Sequence, residues 1–201
     1  MTGIIDYGMG NLGSVANALK YISTDFFITQ EPGELDKADR IILPGVGAFE
    51  KAMDHLRETG MAHAAISQIR KGKPFLGICL GLQMLFSYSE EGIKTDGLSV
   101  LPGRVVKFKE YPGLKVPHMG WNAIKTEDAS GFFHEYNGCY VYFVHSFHAL
   151  PEEGHMLATR TSYGEFFASA VEKDNVLACQ FHPEKSGRTG IDMLRKWVDA
   201  G

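Results

Sequence analysis

The chain has 201 residues, 44% of them hydrophobic and 22% charged, which suits one substantial core, and residues 1–201 are read as a single domain. A formal net charge of −4 provides no basic face for a phosphate backbone, so nucleic acid is excluded as the expected partner. No stretch approaches the ~20 apolar residues of a membrane-crossing helix, and no secretory leader opens the chain, so a cytoplasmic protein is expected.

In chain order, Ile4-Ile5 reads as a short buried strand entering a glycine-rich turn, and Val15, Ala18, Leu19 and Ile22 then recur at helical spacing. Phe26 to Thr29 and Ile41 to Leu43 read as further strands, the second running into Pro44-Gly45-Val46-Gly47. Helical stretches follow around 48–58 and 61–71. Pro74 to Ile78 is another apolar strand, and Leu82, Leu85 and Phe86 share a face of the helix expected after it. Strands alternating with helices predict a parallel sheet covered on both faces. The second half differs, with strand patterns at 105–108, 140–147, 156–161, 166–171 and 176–181. Lys173-Asp174-Asn175 forms a hairpin turn, and Ile191, Leu194 and Val198 mark a closing helix. The expected fold is α/β: a three-layer α/β/α, flavodoxin-like arrangement, mostly parallel, with an antiparallel extension.

The sharpest chemical signal is Gly77-Ile78-Cys79-Leu80-Gly81, where a buried strand meets a helix. This is the layout of a nucleophile elbow, whose tight turn needs small residues two positions either side of the reactive one. A thiol at a helix start also sits in the positive field of the helix dipole, which favours thiolate. Cys139 and Cys179 lack flanking glycines and read as core. Three scattered cysteines form neither a disulfide framework nor the paired spacing of a zinc site, so no metal is expected.

A thiol nucleophile needs an imidazole to move its proton and a third group to hold that ring. Among eight histidines, His182 ends the strand at 176–181 and precedes Pro183, which biases it to extended geometry. Glu184, two residues on, lies on the same side of an extended segment. Taken by itself a His-Pro-Glu run is more often a plain turn than a catalytic dyad; the elbow makes His182 and Glu184 the preferred base and orienter. His55 and His63 fall on helical stretches and read as surface. His118, His145 and His148 remain open as supporting groups.

Together with Pro44 to Gly47, the elbow extended to Gln83, and Phe181-His182-Pro183-Glu184, these blocks resemble the class I (triad) glutamine amidotransferases. Ile5 to Asn11, Pro117 to Asn122, Tyr142 to Phe147 and Glu184 to Gly187 narrow the likeness, which runs along essentially the whole chain. They point to the members that serve a (β/α)8-barrel cyclase in histidine biosynthesis. The resemblance implies that Cys79 is the nucleophile, His182 the general acid/base and Glu184 its orienter. It further implies an oxyanion site at the backbone of Leu80 and of Val46 and Gly47, and glutamine held by Gly47, Gln83 and the backbone at Ser146 and Phe147. Trp121, Tyr142 and Lys185 would face the cyclase in a heterodimer, which would turn the ammonia into imidazole glycerol phosphate and an aminoimidazole carboxamide ribotide. Phe147 departs from the aromatic hydroxyl common at this place.

Two other readings stay open. One is a sibling amidotransferase serving a different synthase; the other is a non-catalytic flavodoxin-like module with a structural Cys79. Gly8-Met9-Gly10-Asn11-Leu12-Gly13 matches a dinucleotide fingerprint, but the resembling family uses this segment without a nicotinamide, and no cofactor is expected.

Overall fold

The computed structural model describes residues 1–200. Its strands and α-helices in chain order are β1 (Thr2–Ile5), α1 (Leu12–Tyr21), β2 (Phe26–Thr29), β3 (Arg40–Gly45), α2 (Phe49–Glu58), α3 (Met61–Arg70), β4 (Phe75–Cys79), α4 (Leu80–Met84), β5 (Phe86–Ser89) and β6 (Thr95–Asp96). They continue with β7 (Leu101–Lys107), β8 (His118–Ala123), β9 (Lys125–Thr126), β10 (Tyr140–His145), β11 (Phe147–Pro151), β12 (Leu157–Tyr163), β13 (Glu165–Lys173), β14 (Val176–Cys179) and α5 (Gly187–Asp199).

The main sheet has the order β2-β1-β3-β4-β14-β13-β12-β9. Its first five strands run parallel, and β13, β12 and β9 extend it antiparallel. The two-residue turn at Asp174-Asn175 joins β13 to β14, with Asp174 at φ 53°. The expected α/β/α architecture is therefore the observed one.

Strand alternation sorts the core into two halves. Ile5, Ile41, Leu43, Phe75 and Ala178 point to the face covered by α2, α3 and α4. Ile4, Ile42, Leu76, Ile78 and Leu177 point to the face covered by α1 and α5. Each fully buried large aliphatic or aromatic side chain contributes roughly 1.5–3 kcal/mol relative to exposure. A four-stranded sheet, β11-β7-β5-β6, packs on the first side through Phe86, Leu101, Val105 and Ala149. The antiparallel pair β8–β10 packs on the second through Val141 and Phe143.

Several boundaries differ from expectation. The helix after the elbow is five residues long, and Phe86 already begins β5 rather than sharing a helical face. Few aligned peptides therefore stand behind Cys79, which weakens the dipole argument made for it. The segment 140–147 is two strands, because the chain leaves β8 at His145 and joins β7 from Phe147. The ladder of β14 ends at Cys179, although Gln180 still donates its N–H to Ser169.

Candidate active site

The carboxyl ends of β3, β4 and β14 lie side by side, and the chemically suggestive residues leave from them. Cys79 sits between β4 and α4 with φ 55° and ψ −108°, a region that costs a non-glycine residue about 1–3 kcal/mol. The chain can turn there because Gly81 has no side chain: a Cβ on it would stand 1.9 Å from the carbonyl oxygen of Leu43. Gly77 is also crowded, its Cβ position 3.0 Å from the carbonyl oxygen of Gly81 and from Leu85.

His182 follows β14 in extended geometry, φ −99° and ψ 96°, and its ring is buried. Its Nδ1 donates to Glu184 Oε1 at 2.8 Å, and the Glu184 side chain is 1% exposed. The main chain around the ring is pinned. His182 N–H donates to the Tyr142 carbonyl at 2.9 Å. Ser186 Oγ–H donates to the His182 carbonyl at 2.6 Å and accepts from Tyr142 N–H at 3.0 Å.

Burial acting alone would lower the His182 pKa, but the Cys79 sulfur and the Glu184 carboxylate together push it up to about 10. Nε2 of the ring has no hydrogen bond of ordinary geometry, so sulfur and ring are close enough to interact but not aligned. Loose catalytic contacts of this kind are common before substrate binds.

A cleft of about 480 Å³ opens beside the sulfur, lined among others by Val46, Gly47, Leu80, Gln83, Ser146 and Phe147. All the residues expected to hold substrate or an oxyanion thus meet Cys79 in one space. Gly47 has φ +103°, and Met9, from the glycine-rich turn after β1, fills the place where a Cβ would stand. That turn packs on the cleft loop. A larger groove, about 820 Å³, lies on another side of Glu184 between α1 and α5; it is lined by Ser14, Lys185 and Arg188 and contains no thiol.

Trp121 and Tyr142 face each other across the paired strands β8 and β10, ring centroids 6.2 Å apart. Trp121 is 54% exposed, ruling out a core tryptophan, and Met119 and Tyr140 are each 62% exposed nearby. Lys185 lies in the single helical turn Pro183–Lys185 that carries Glu184. Cys179 is buried, Cys139 only half-buried, and His55 and His63 are exposed. Among the described residues no group of His, Cys, Asp or Glu can hold a metal ion, and no helix is long and apolar enough to cross a membrane.

Two residues of the site escaped sequence reasoning. Gln180 is fully buried, and its Nε2 reaches Cys79 Sγ at 3.6 Å. A single polar residue within the apolar run 176–181 was its signal. Glu91 also lines the cleft, and its Oε2 accepts the N–H of Phe49 at the start of α2. Nothing in the charged segment 89–97 singled it out.

His118 and His145, both buried, form the other polar cluster. Burial pushes His118 down to about 4 and His145 to about 3. An unfolded histidine titrates near 6.5, so below that pH the unfolded chain binds protons that the folded rings refuse. Their share of stability is full above about pH 6.5 and declines as the pH falls toward 4, by on the order of 2 kcal/mol per ring at pH 5. His182 has the opposite sign: its share is full below 6.5 and fades as the pH climbs toward 10. The urea midpoint should therefore fall between about pH 7 and pH 5. A midpoint unchanged over that interval would contradict the buried, uncharged state of the two rings.

Residues 3–200 match the family model described as glutamine amidotransferase class-I. The chain is 48% identical over 199 residues to the imidazole glycerol phosphate synthase subunit HisH of Methanothermobacter thermautotrophicus, covering 99% of this chain and 98% of that one. It is 49% identical over 198 residues to the same subunit of Caldanaerobacter subterraneus, covering 98% and 97%. The chloroplastic imidazole glycerol phosphate synthase hisHF of Arabidopsis thaliana is 46% identical over 197 residues; the match covers 97% of this chain but only 33% of the plant protein. Among solved structures, a glutamine amidotransferase crystal structure superposes with a TM-score of 0.76 at 18% identity, covering 98% of each chain, a likeness of fold.

Proposed function

The chain belongs to the class I glutamine amidotransferases, and from that membership we propose that it is the glutaminase subunit of an imidazole glycerol phosphate synthase. The observation that carries the reading is the single cleft in which Cys79 meets Gly47, Leu80, Gln83, Ser146 and Phe147, with His182 and Glu184 behind the sulfur.

In the proposed reaction, the Cys79 thiol gives its proton to His182 and the sulfur attacks the side-chain amide carbon of glutamine. The tetrahedral oxyanion is met by main-chain N–H groups of Leu80 and of the Val46-Gly47 loop. The carbon–nitrogen bond breaks as His182 gives its proton to the departing ammonia, leaving a thioester on Cys79. His182 then takes a proton from water, which opens the thioester to glutamate and restores the thiol. Glu184 holds the ring with Nδ1 protonated, so that Nε2 faces the sulfur. Glu91 is the carboxylate lining this cleft and is suited to the substrate's ammonium group.

The ammonia must stay out of bulk water, where it would take a proton and lose its nucleophilicity. We therefore propose a heterodimer with a (β/α)8-barrel cyclase, docked over Trp121, Tyr142 and Lys185. Support comes from relatives that are subunits of a synthase, and from the exposed Met119, Trp121 and Tyr140. Residues 1–201 are proposed to act as one domain in the cytoplasm.

A chloroketone analogue of glutamine tests the reading. Mass spectrometry should find its adduct on Cys79 and on neither Cys139 nor Cys179, and glutamate release should rise when the matching cyclase is added. Labelling spread over all three thiols, or glutamate release indifferent to the cyclase, would count against it.

A further inference from the structure

Asn122, His118, His145 and the main chain at Phe147 form a file of hydrogen bonds that ends in the cleft, and each proton along it has an assignable place. His145 Nδ1 lies 2.8 Å from the carbonyl oxygen of Phe147. A carbonyl can only accept, so Nδ1 carries the hydrogen. Packed among Phe108, Phe143 and Phe167, the ring is uncharged, which leaves Nε2 as an acceptor. His118 Nδ1, 3.1 Å away, must therefore be the donor. His118 is stacked between Phe143 and Tyr163, with centroid separations of 4.8 and 3.9 Å, and is uncharged too. Its Nε2 accordingly accepts, at 3.4 Å, from Asn122 Nδ2. Asn122 also donates to the Ser162 carbonyl at 2.9 Å and accepts from Ala123 N–H at 2.8 Å, which fixes its amide orientation.

At the other end, the Phe147 carbonyl takes a second hydrogen bond, from Gln83 Nε2 at 2.9 Å, so both its lone pairs are engaged. The same Gln83 nitrogen donates to Gln180 Oε1 at 2.9 Å, and Gln180 donates toward Cys79 Sγ. Gln83 is left with its Oε1 alone to offer the cleft, as an acceptor. Two histidines serving only as core filler would need no such one-way order.

We propose that His118 and His145 are positioning residues of the glutaminase, held as Nδ1–H tautomers so that they fix the Phe147 carbonyl and, through it, the Gln83 and Gln180 amides beside Cys79. The inference rests on the glutaminase reading above. It differs from a packing role in depending on which ring nitrogen donates. Asparagine places its Nδ2 where His145 has Nδ1; glutamine places its amide nitrogen near Nε2 instead.

The test measures the rate of Cys79 labelling by the glutamine chloroketone, which needs the substrate site, against iodoacetamide, which does not, in the full chain with its cyclase. His145→Gln, His145→Leu and His118→Phe should slow the chloroketone about 10-fold or more while iodoacetamide changes by less than about 3-fold, and His145→Asn should recover most of the loss. Wild-type chloroketone rates in His145→Leu, or equal losses in His145→Asn and His145→Leu, would overturn the inference. If the wild type itself is not labelled at Cys79 by the chloroketone, the glutaminase reading fails instead. Side-chain nitrogen NMR of the labelled wild type at neutral pH decides independently, even where variants do not fold: it should show Nδ1–H at both rings, and Nε2–H at either one contradicts the proposal.

Discussion

Cys79→Ala is expected to lower glutamate production by at least about 10⁴-fold while leaving the fold intact. The expectation is large because the proposed chemistry passes through a covalent thioester, for which alanine offers no atom. Gly47, Gln83 and the main chain at Ser146 and Phe147 would still bind glutamine, so the loss should fall on kcat and leave substrate affinity nearly unchanged. Alanine is no worse suited than cysteine to φ 55°, and although Cys79 is buried, only its sulfur atom is lost, beside a cleft. Glutamate release with the cyclase present, together with unchanged thermal unfolding, checks both halves. Turnover within about tenfold of wild type would place the nucleophile elsewhere.

Gly81→Ala should be among the most damaging conservative changes in the chain. Its methyl would fall 1.9 Å from the Leu43 carbonyl oxygen, a main-chain atom within β3 that cannot rotate away. Relief requires moving β3 or α4, and overpacking of that kind costs about 3 kcal/mol or more. For a domain of this size each kcal/mol lowers Tm by about 2–4 °C, so a fall of roughly 6–12 °C is expected, with loss of activity. Gly13→Ala is the control: it lies in α1 with nothing within 4 Å of the new methyl, and should be neutral or mildly stabilising. Equal melting temperatures for the two variants would show that the elbow has more room than these distances allow.

The parallel half was legible because its strands are buried on both faces and so spell continuous apolar runs, as at 41–43 and 75–78. The elbow and the extended residue before Pro183 were legible because glycine and proline constrain the local chain. The antiparallel half was read less well. Short strands such as β6 and β9 carry no apolar run, and a chain that changes sheets at Ser146 looks continuous. The spacing of Leu82, Leu85 and Phe86 fits a helix, yet the chain turns into β5, a tertiary effect invisible to periodicity. Gln180 and Glu91 were missed for a plainer reason. Their roles depend on partners up to 101 residues away, and no local pattern encodes such pairs.

Because β14 lies between β4 and β13, the middle of the main sheet is filled by residues synthesised after every other strand of that sheet. The proposed nucleophile leaves the ribosome long before the strand that brings the proposed base, and contacts this remote in sequence form late. A nascent chain thus carries Cys79 before His182 can meet it. On the proposed reading, hydrolysis, and with it any wasteful escape of ammonia, begins only when β14 and His182 have been made and can slot in.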